Sequence, residues 1–128
     1  MAEVYYDKDA DLAHLEGKTI AMIGYGSQGH AHALNLKDNG QNVVVGIYPE
    51  SKSRAVAEAA GLRVTDVPEA AKEADVLMMV IPDHLQGRVY REQIEPNLRP
   101  GSAFMVAHGF SIHYKEIVIP DTIDVMMV

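Results

Sequence analysis

Glycines at 24, 26 and 29 fall between an apolar run, Thr19 to Ile23, and a run rich in small residues that starts at Ser27. The spacing of Gly24-Tyr25-Gly26-Ser27-Gln28-Gly29 is G-x-G-x-x-G, and its chemistry is anion binding by backbone alone. The first glycine permits a tight turn. The second lets the chain approach a diphosphate, and the third lets a following helix pack closely on the preceding strand. Exposed N–H groups and a helix dipole then supply the attraction. Ser27 adds a hydroxyl beside the phosphates. An acidic chain can hold a dinucleotide in this way, and acidic this chain is, with a formal net charge of -7.

Other polar residues stand where a ligand on such a loop would extend. After the valine-rich run Asn42 to Ile47 come Tyr48, Pro49, Glu50, Ser51, Lys52, Ser53 and Arg54. A loop in this position meets an adenosine ribose. Glu50 suits the free 2′-hydroxyl of NAD, whereas Ser51, Lys52, Ser53 and Arg54 suit the 2′-phosphate of NADP. Ser51 is equally the N-cap of the next helix. Tyr48 either lies against adenine or covers the sheet edge. Asp83, His84, Leu85 and Gln86 follow the run Asp75 to Ile81, and Asp83 also reads as a helix N-cap. His108 follows Ser102 to Ala107, next to Gly109, where the nicotinamide half of a cofactor would arrive. An imidazole there can donate a proton, accept one or order a water. His30 and His32 are two apart and face different sides of a helix, so they read as packed or solvated side chains and not as a metal pair. No metal-ligating set is evident.

Elements must alternate to bring these loops together. Strands are expected over Thr19–Ile23, Asn42–Ile47, Asp75–Ile81, Ser102–Ala107 and Asp124–Val128. Helices are expected over Ser27–Asp38 (stopped by Asn39-Gly40), Ser51–Ala60, Asp66–Lys72, Asp83–Ile94 and Ser111–Glu116. Asp66 with Glu69 has the spacing of a capping box, with Pro68 in the first turn. Strands that are apolar throughout are buried on both faces. The expected fold is therefore α/β: a Rossmann-type, doubly wound, mainly parallel sheet with helices on both faces, one domain over residues 1–128. The last strand is of the buried type yet ends the chain, which suggests continuation in a longer protein. A strand left at an edge there offers weak pairing to a second copy.

Composition excludes several classes. There is no cysteine, so no disulfide or thiolate site. No apolar run is long enough to span a membrane, and the start, MAEVYYDKDADL, has no basic and then apolar leader. The acidic balance argues against nucleic acid. A cytoplasmic protein is expected.

The run Gly24-Tyr25-Gly26-Ser27-Gln28-Gly29-His30-Ala31-His32-Ala33-Leu34-Asn35-Leu36 closely resembles the N-terminal domain of ketol-acid reductoisomerases. So do Tyr5-Tyr6-Asp7, Ile81-Pro82-Asp83 with Gln86, Glu95-Pro96-Asn97-Leu98 and Ala107-His108-Gly109-Phe110. The resemblance implies an NADP(H)- or NAD(H)-dependent oxidoreductase of branched-chain amino-acid biosynthesis (isoleucine and valine). Such an enzyme converts 2-acetolactate to 2,3-dihydroxyisovalerate by a magnesium-dependent alkyl shift and a hydride transfer. It implies that Tyr25, Gly26, Ser27, Gln28, Ser51, Ser53 and the Asp83–Gln86 turn hold the cofactor. It also implies that His108 is the active-site histidine, ordering water or assisting proton transfer. Two departures stand out. The family usually has arginine where this chain has Tyr48, and with Glu50 nearby this unsettles the preference for NADP. The family's helical C-terminal domain, with its magnesium and substrate ligands, has no counterpart in these residues. The isolated chain is accordingly expected to be inactive. The competing expectations are a fragment of another small-acid dehydrogenase and a non-enzymatic dinucleotide-binding regulatory module.

Overall fold

The computed structural model describes all 128 residues. Six strands form one parallel sheet: β1 (Thr19–Ile23), β2 (Asn42–Gly46), β3 (Arg63–Thr65), β4 (Val76–Met79), β5 (Ala103–Val106) and β6 (Asp124–Met127), in the order β3-β2-β1-β4-β5-β6. Five helices connect or follow them: α1 (Ser27–Asp38), α2 (Ser53–Ala59), α3 (Val67–Glu73), α4 (Asp83–Val89) and α5 (Phe110–His113). The central strand β1 pairs with β2 on one side (Met22 opposite Val45) and with β4 on the other (Met22 opposite Met78).

The apolar strands pack as their lack of alternation predicts. Along β1, Met22 belongs to a core that contains Ala33 of α1 and Ala57 of α2, while Ala21 and Ile23 belong to one with Ala70 and Ala71 of α3. Successive side chains point to opposite faces, so both faces need cover. The cover is uneven. On the α1 face, helices lie over β1 to β3, and the β4 to β6 half carries an apolar trough of about 560 Å³ lined by Met78, Met105, Met126 and Val128. Every residue of β6 is exposed, so this strand is an edge and not the buried element its composition suggests.

Three further local expectations are corrected. Asp66 precedes α3 but its side chain makes no cap bond. Its carboxylate instead binds Arg54 at 2.8 Å, and Glu69 turns to Lys72 at 2.7 Å. A fixed cation outcompetes the weakly positive helix end, so the capping box does not form. The helix begun at Asp83 does not stay regular to Ile94. Beyond Val89 it widens into one turn over Tyr90–Ile94, where the Glu95 N–H donates to the Tyr90 carbonyl at 2.8 Å. Finally, β3 is a strand the sequence reading omits. It is only three residues long and sits against one neighbour, β2.

Tyr90 and Ile94 are both buried, and Tyr90 meets Phe104 edge-on with ring centroids 5.5 Å apart. Burial, and secondarily the Glu95 carboxylate, pushes the Tyr90 hydroxyl up to about 12. An unfolded tyrosine titrates near 10, so folding favours the neutral phenol. That contribution is complete below pH ~10 and is lost as pH rises toward ~12, because there the unfolded chain has released the proton that the folded chain retains. Melting temperatures over this range should fall more steeply for the wild type than for Tyr90→Phe; parallel curves would exclude the effect.

Candidate functional site

The glycine loop joins β1 to α1, and its three glycines answer to different neighbours. Gly24 has φ +103°, and a Cβ there would lie 2.8 Å from Ile81 Cγ2 and 3.0 Å from the Val80 carbonyl oxygen. A Cβ on Gly29 would lie 2.6 Å from the Gly24 carbonyl oxygen. Both are demanded by the protein's own packing. Gly26 is not: its φ is -75°, and a Cβ there would meet nothing within 4 Å. The chain itself tolerates a side chain at 26. What it would obstruct is the open space above the loop. No side chain caps the first turn of α1, so its first N–H groups have no side-chain partner.

The strand order puts β2 and β4 on either side of β1. The β2–α2 loop and α4 thus form two walls of a cleft of about 580 Å³ with the glycine loop at its base. Gly24, Tyr25, Gly26, Tyr48, Ser51, Ser53 and Leu85 line it, so seven of the candidates meet around one space. Ser27 and Gln28 are exposed on the first turn of α1 beside it. Glu50, Asp83 and His84 are exposed but do not line it. Sequence reasoning missed Arg88, Val89 and Gln93, which do. The signal was there: with Leu85 they recur at three- and four-residue steps, which place side chains on one side of a helix.

The β2–α2 loop resolves several alternatives. Ser51 Oγ accepts from the Ser53 N–H at 3.2 Å, while Lys52 occupies the cap position, so Ser51 steadies the start of α2 from one residue further back. Arg54 donates to the Ile47 carbonyl and to Asp66, both at 2.8 Å. Its guanidinium ties α2 to the end of β2 and to the start of α3, and it faces no ligand space. Tyr48 is exposed at the rim. Tyr25 packs its ring among the core residues shared with α1 and α2, edge-on to His30 at 5.5 Å, and its hydroxyl is buried without a hydrogen-bond partner. That burial raises its pKa.

Pro82, not Asp83, occupies the N-cap of α4. Gln86 is buried, and its amide is engaged at both ends. Nε2 donates to the Ile81 carbonyl at 2.9 Å and, more weakly, to Asp83 Oδ1 at 3.3 Å. A backbone carbonyl can only accept, so the amide oxygen must face the other way, toward Ser111. There the fully buried Ser111 hydroxyl donates to Oε1 at 2.7 Å. Gln86 is thus a clamp between the β4 turn and α5. His108 lies just past β5 and is exposed, beside a shallow depression it shares with Phe110, His113, Tyr114 and Met127. Its Nδ1 accepts from the Phe110 N–H at 3.2 Å. In the neutral ring the proton is then on Nε2, which is free to donate. No three metal-ligating side chains converge anywhere in the chain.

A parallel sheet with this strand order and a glycine loop opening onto its central crevice defines a dinucleotide-binding domain of the Rossmann class. Residues 14–128 match the family model described as acetohydroxy acid isomeroreductase, NADPH-binding domain, and the chain belongs to that family. It is similar, at 42% identity and a TM-score of 0.91, to an NADH-preferring ketol-acid reductoisomerase from an uncultured archean, covering 98% of this chain and 40% of that one. At lower identity it shares its fold with a semialdehyde dehydrogenase NAD-binding protein from Cupriavidus necator (23% identity, 86% of this chain and 40% of that one, TM-score 0.74). A 3-hydroxyisobutyrate dehydrogenase from Mycobacterium tuberculosis is likewise similar (24%, 86% and 38%, TM-score 0.67). The chain spans about 40% of the length of the archaeal enzyme.

Proposed function

We propose that these 128 residues are the cofactor-holding part of a ketol-acid reductoisomerase. In this reading the glycine loop and the α1 N-terminus hold the diphosphate of NADP(H) or NAD(H), and Ser51 and Ser53 hold the ribose. Tyr48, Glu50 and the turn Asp83, His84 and Leu85 border the adenosine half, and Gln86 holds that turn from behind. The open space over Gly26, between two glycines that packing requires, carries the reading. The residues fit the cofactor: donors without partners at the base, hydroxyls on one wall and apolar side chains where a base would lie. When bound, the cofactor supplies a hydride. What the chain itself contributes is orientation, and His108 offers an Nε2–H at the neighbouring strand end to a water or a substrate oxygen.

The substrate would be an acetohydroxy acid, and the wider activity the isomerisation and reduction of 2-acetolactate. Magnesium does not fit the residues present, since no carboxylate cluster exists to hold it. The proposed chain therefore binds cofactor without turning over substrate. No helix is long and apolar enough to cross a membrane. A cytoplasmic location is proposed, as is weak pairing between copies through the exposed β6 edge.

Titrating the chain with NADPH and NADH while following nicotinamide fluorescence tests the core of this reading. Saturable binding of at least one is expected. Absence of both, or magnesium-dependent conversion of acetolactate by the chain alone, would refute it.

A further inference from the structure

The cleft that would hold the dinucleotide is lined by seventeen residues, and among them Arg88 alone carries a charge. Arg88 forms none of the chain's four ion pairs and no side-chain hydrogen bond, although Glu92 follows it at i+4. The other cations near the cleft differ. Arg54 is consumed by Ile47 and Asp66, and Lys52 is exposed outside the lining. Glu50, the carboxylate that would repel an anion, also lies outside it. Ser51 and Ser53 stand on the β2 wall and Arg88 on the α4 wall. The diphosphate is already provided for by the backbone N–H groups at the base. An arginine left over on one wall of a cleft that two serines also line matches a second and separate phosphate. Guanidinium offers a planar, two-pronged donor suited to that group.

Resting on the dinucleotide reading above, we infer that Arg88 is a specificity-determining residue that grips the 2′-phosphate of NADP(H) from the α4 wall, opposite Ser51 and Ser53. The selectivity of the cleft then comes from both walls and not from the β2–α2 loop alone. Because α4 is also held by the Gln86–Ser111 bridge, the cation stands on an anchored helix rather than on a mobile loop.

The test measures NADPH and NADH affinities for the wild-type chain, Arg88→Gln and Arg88→Lys at two salt concentrations. Arg88→Gln is expected to weaken NADPH by about tenfold or more, a charge-assisted phosphate contact being lost, with NADH changed less than about twofold. Arg88→Lys keeps the charge but not the fork, so its NADPH affinity should fall between those of the wild type and Arg88→Gln. The NADPH constant, and not the NADH constant, should lose salt sensitivity in Arg88→Gln. Equal losses for both cofactors would overturn the inference and assign Arg88 to the part of the cofactor the two share. No change for either would overturn it as well. If the wild type binds neither cofactor, the reading beneath it fails instead, so the two failures are distinct. Arg88 is exposed, and its replacement should leave the fold intact.

Discussion

Gly26→Val should leave the melting transition nearly unmoved and remove dinucleotide binding. The backbone at 26 has φ -75° and ψ -160°, a conformation open to any L residue, and a Cβ there meets nothing within 4 Å. The substitution meets no neighbour, and its cost should stay near ~1 kcal/mol or less, set by valine being a poorer N-cap than glycine. A ligand laid on the N–H groups of α1, however, must pass within contact distance of that Cβ. The isopropyl group would displace the diphosphate, and an affinity loss of at least about 100-fold, or ~2.7 kcal/mol, is expected. Gly29→Ala is the control. Its Cβ falls 2.6 Å from the Gly24 carbonyl oxygen, so β1 and α1 must move apart, at a cost of about 1–3 kcal/mol. Thermal melts and fluorescence titrations on both variants check the contrast. If Gly26→Val binds normally, the open space above the loop is not the ligand's.

The same loop shows how far sequence alone reaches. The alternation of apolar runs with helical patterns gave the sheet class and five of six strands within two residues at each end, because an uninterrupted apolar run is recognisable without its partner, even where, as in β6, the strand proves to be an exposed edge. The glycine spacing located the base of the cleft for the same reason: its logic is local. The omissions have a different cause. Strand β3 exists because Val64 lies beside Val45, a pairing set by the sheet and not by three residues' propensity. Asp66 looked like a cap because its neighbours obey the capping pattern, but the guanidinium that claims it comes from twelve residues upstream. Arg54 suits a phosphate on composition, yet geometry commits it to the framework. Arg88 had no motif to mark it and became visible only when β2 and β4 were placed on either side of β1. The cleft's base, built by backbone, was legible, whereas side-chain roles decided by competition required the fold.

Gln86 and Ser111 provide the sharpest case of such competition, and the second large effect follows from it. Gln86→Leu keeps the volume but leaves the buried Ser111 hydroxyl with no acceptor and the Ile81 carbonyl without its side-chain donor. Each unmet buried group costs about 1–3 kcal/mol, so a loss near 3 kcal/mol is expected, measured by denaturant unfolding. Ser111→Ala leaves only Gln86 Oε1 unmet and should cost less, about 1–2 kcal/mol. The double variant removes both partners of the bond. Its loss should fall short of the sum by roughly 1 kcal/mol, the signature of a direct interaction; strict additivity would mean that the two side chains do not meet in solution. The consequence reaches the cleft, because Ile81 is also the residue whose side chain crowds Gly24. When Gln86 releases the Ile81 carbonyl, the β4 turn loses its hold on the glycine loop. Dinucleotide affinity should then fall several-fold in Gln86→Leu and less in Ser111→Ala, in which Nε2 still grips that carbonyl. This ordering is what a clamp behind the site predicts, whereas a glutamine that touched the cofactor directly would lose affinity without any coupling to Ser111.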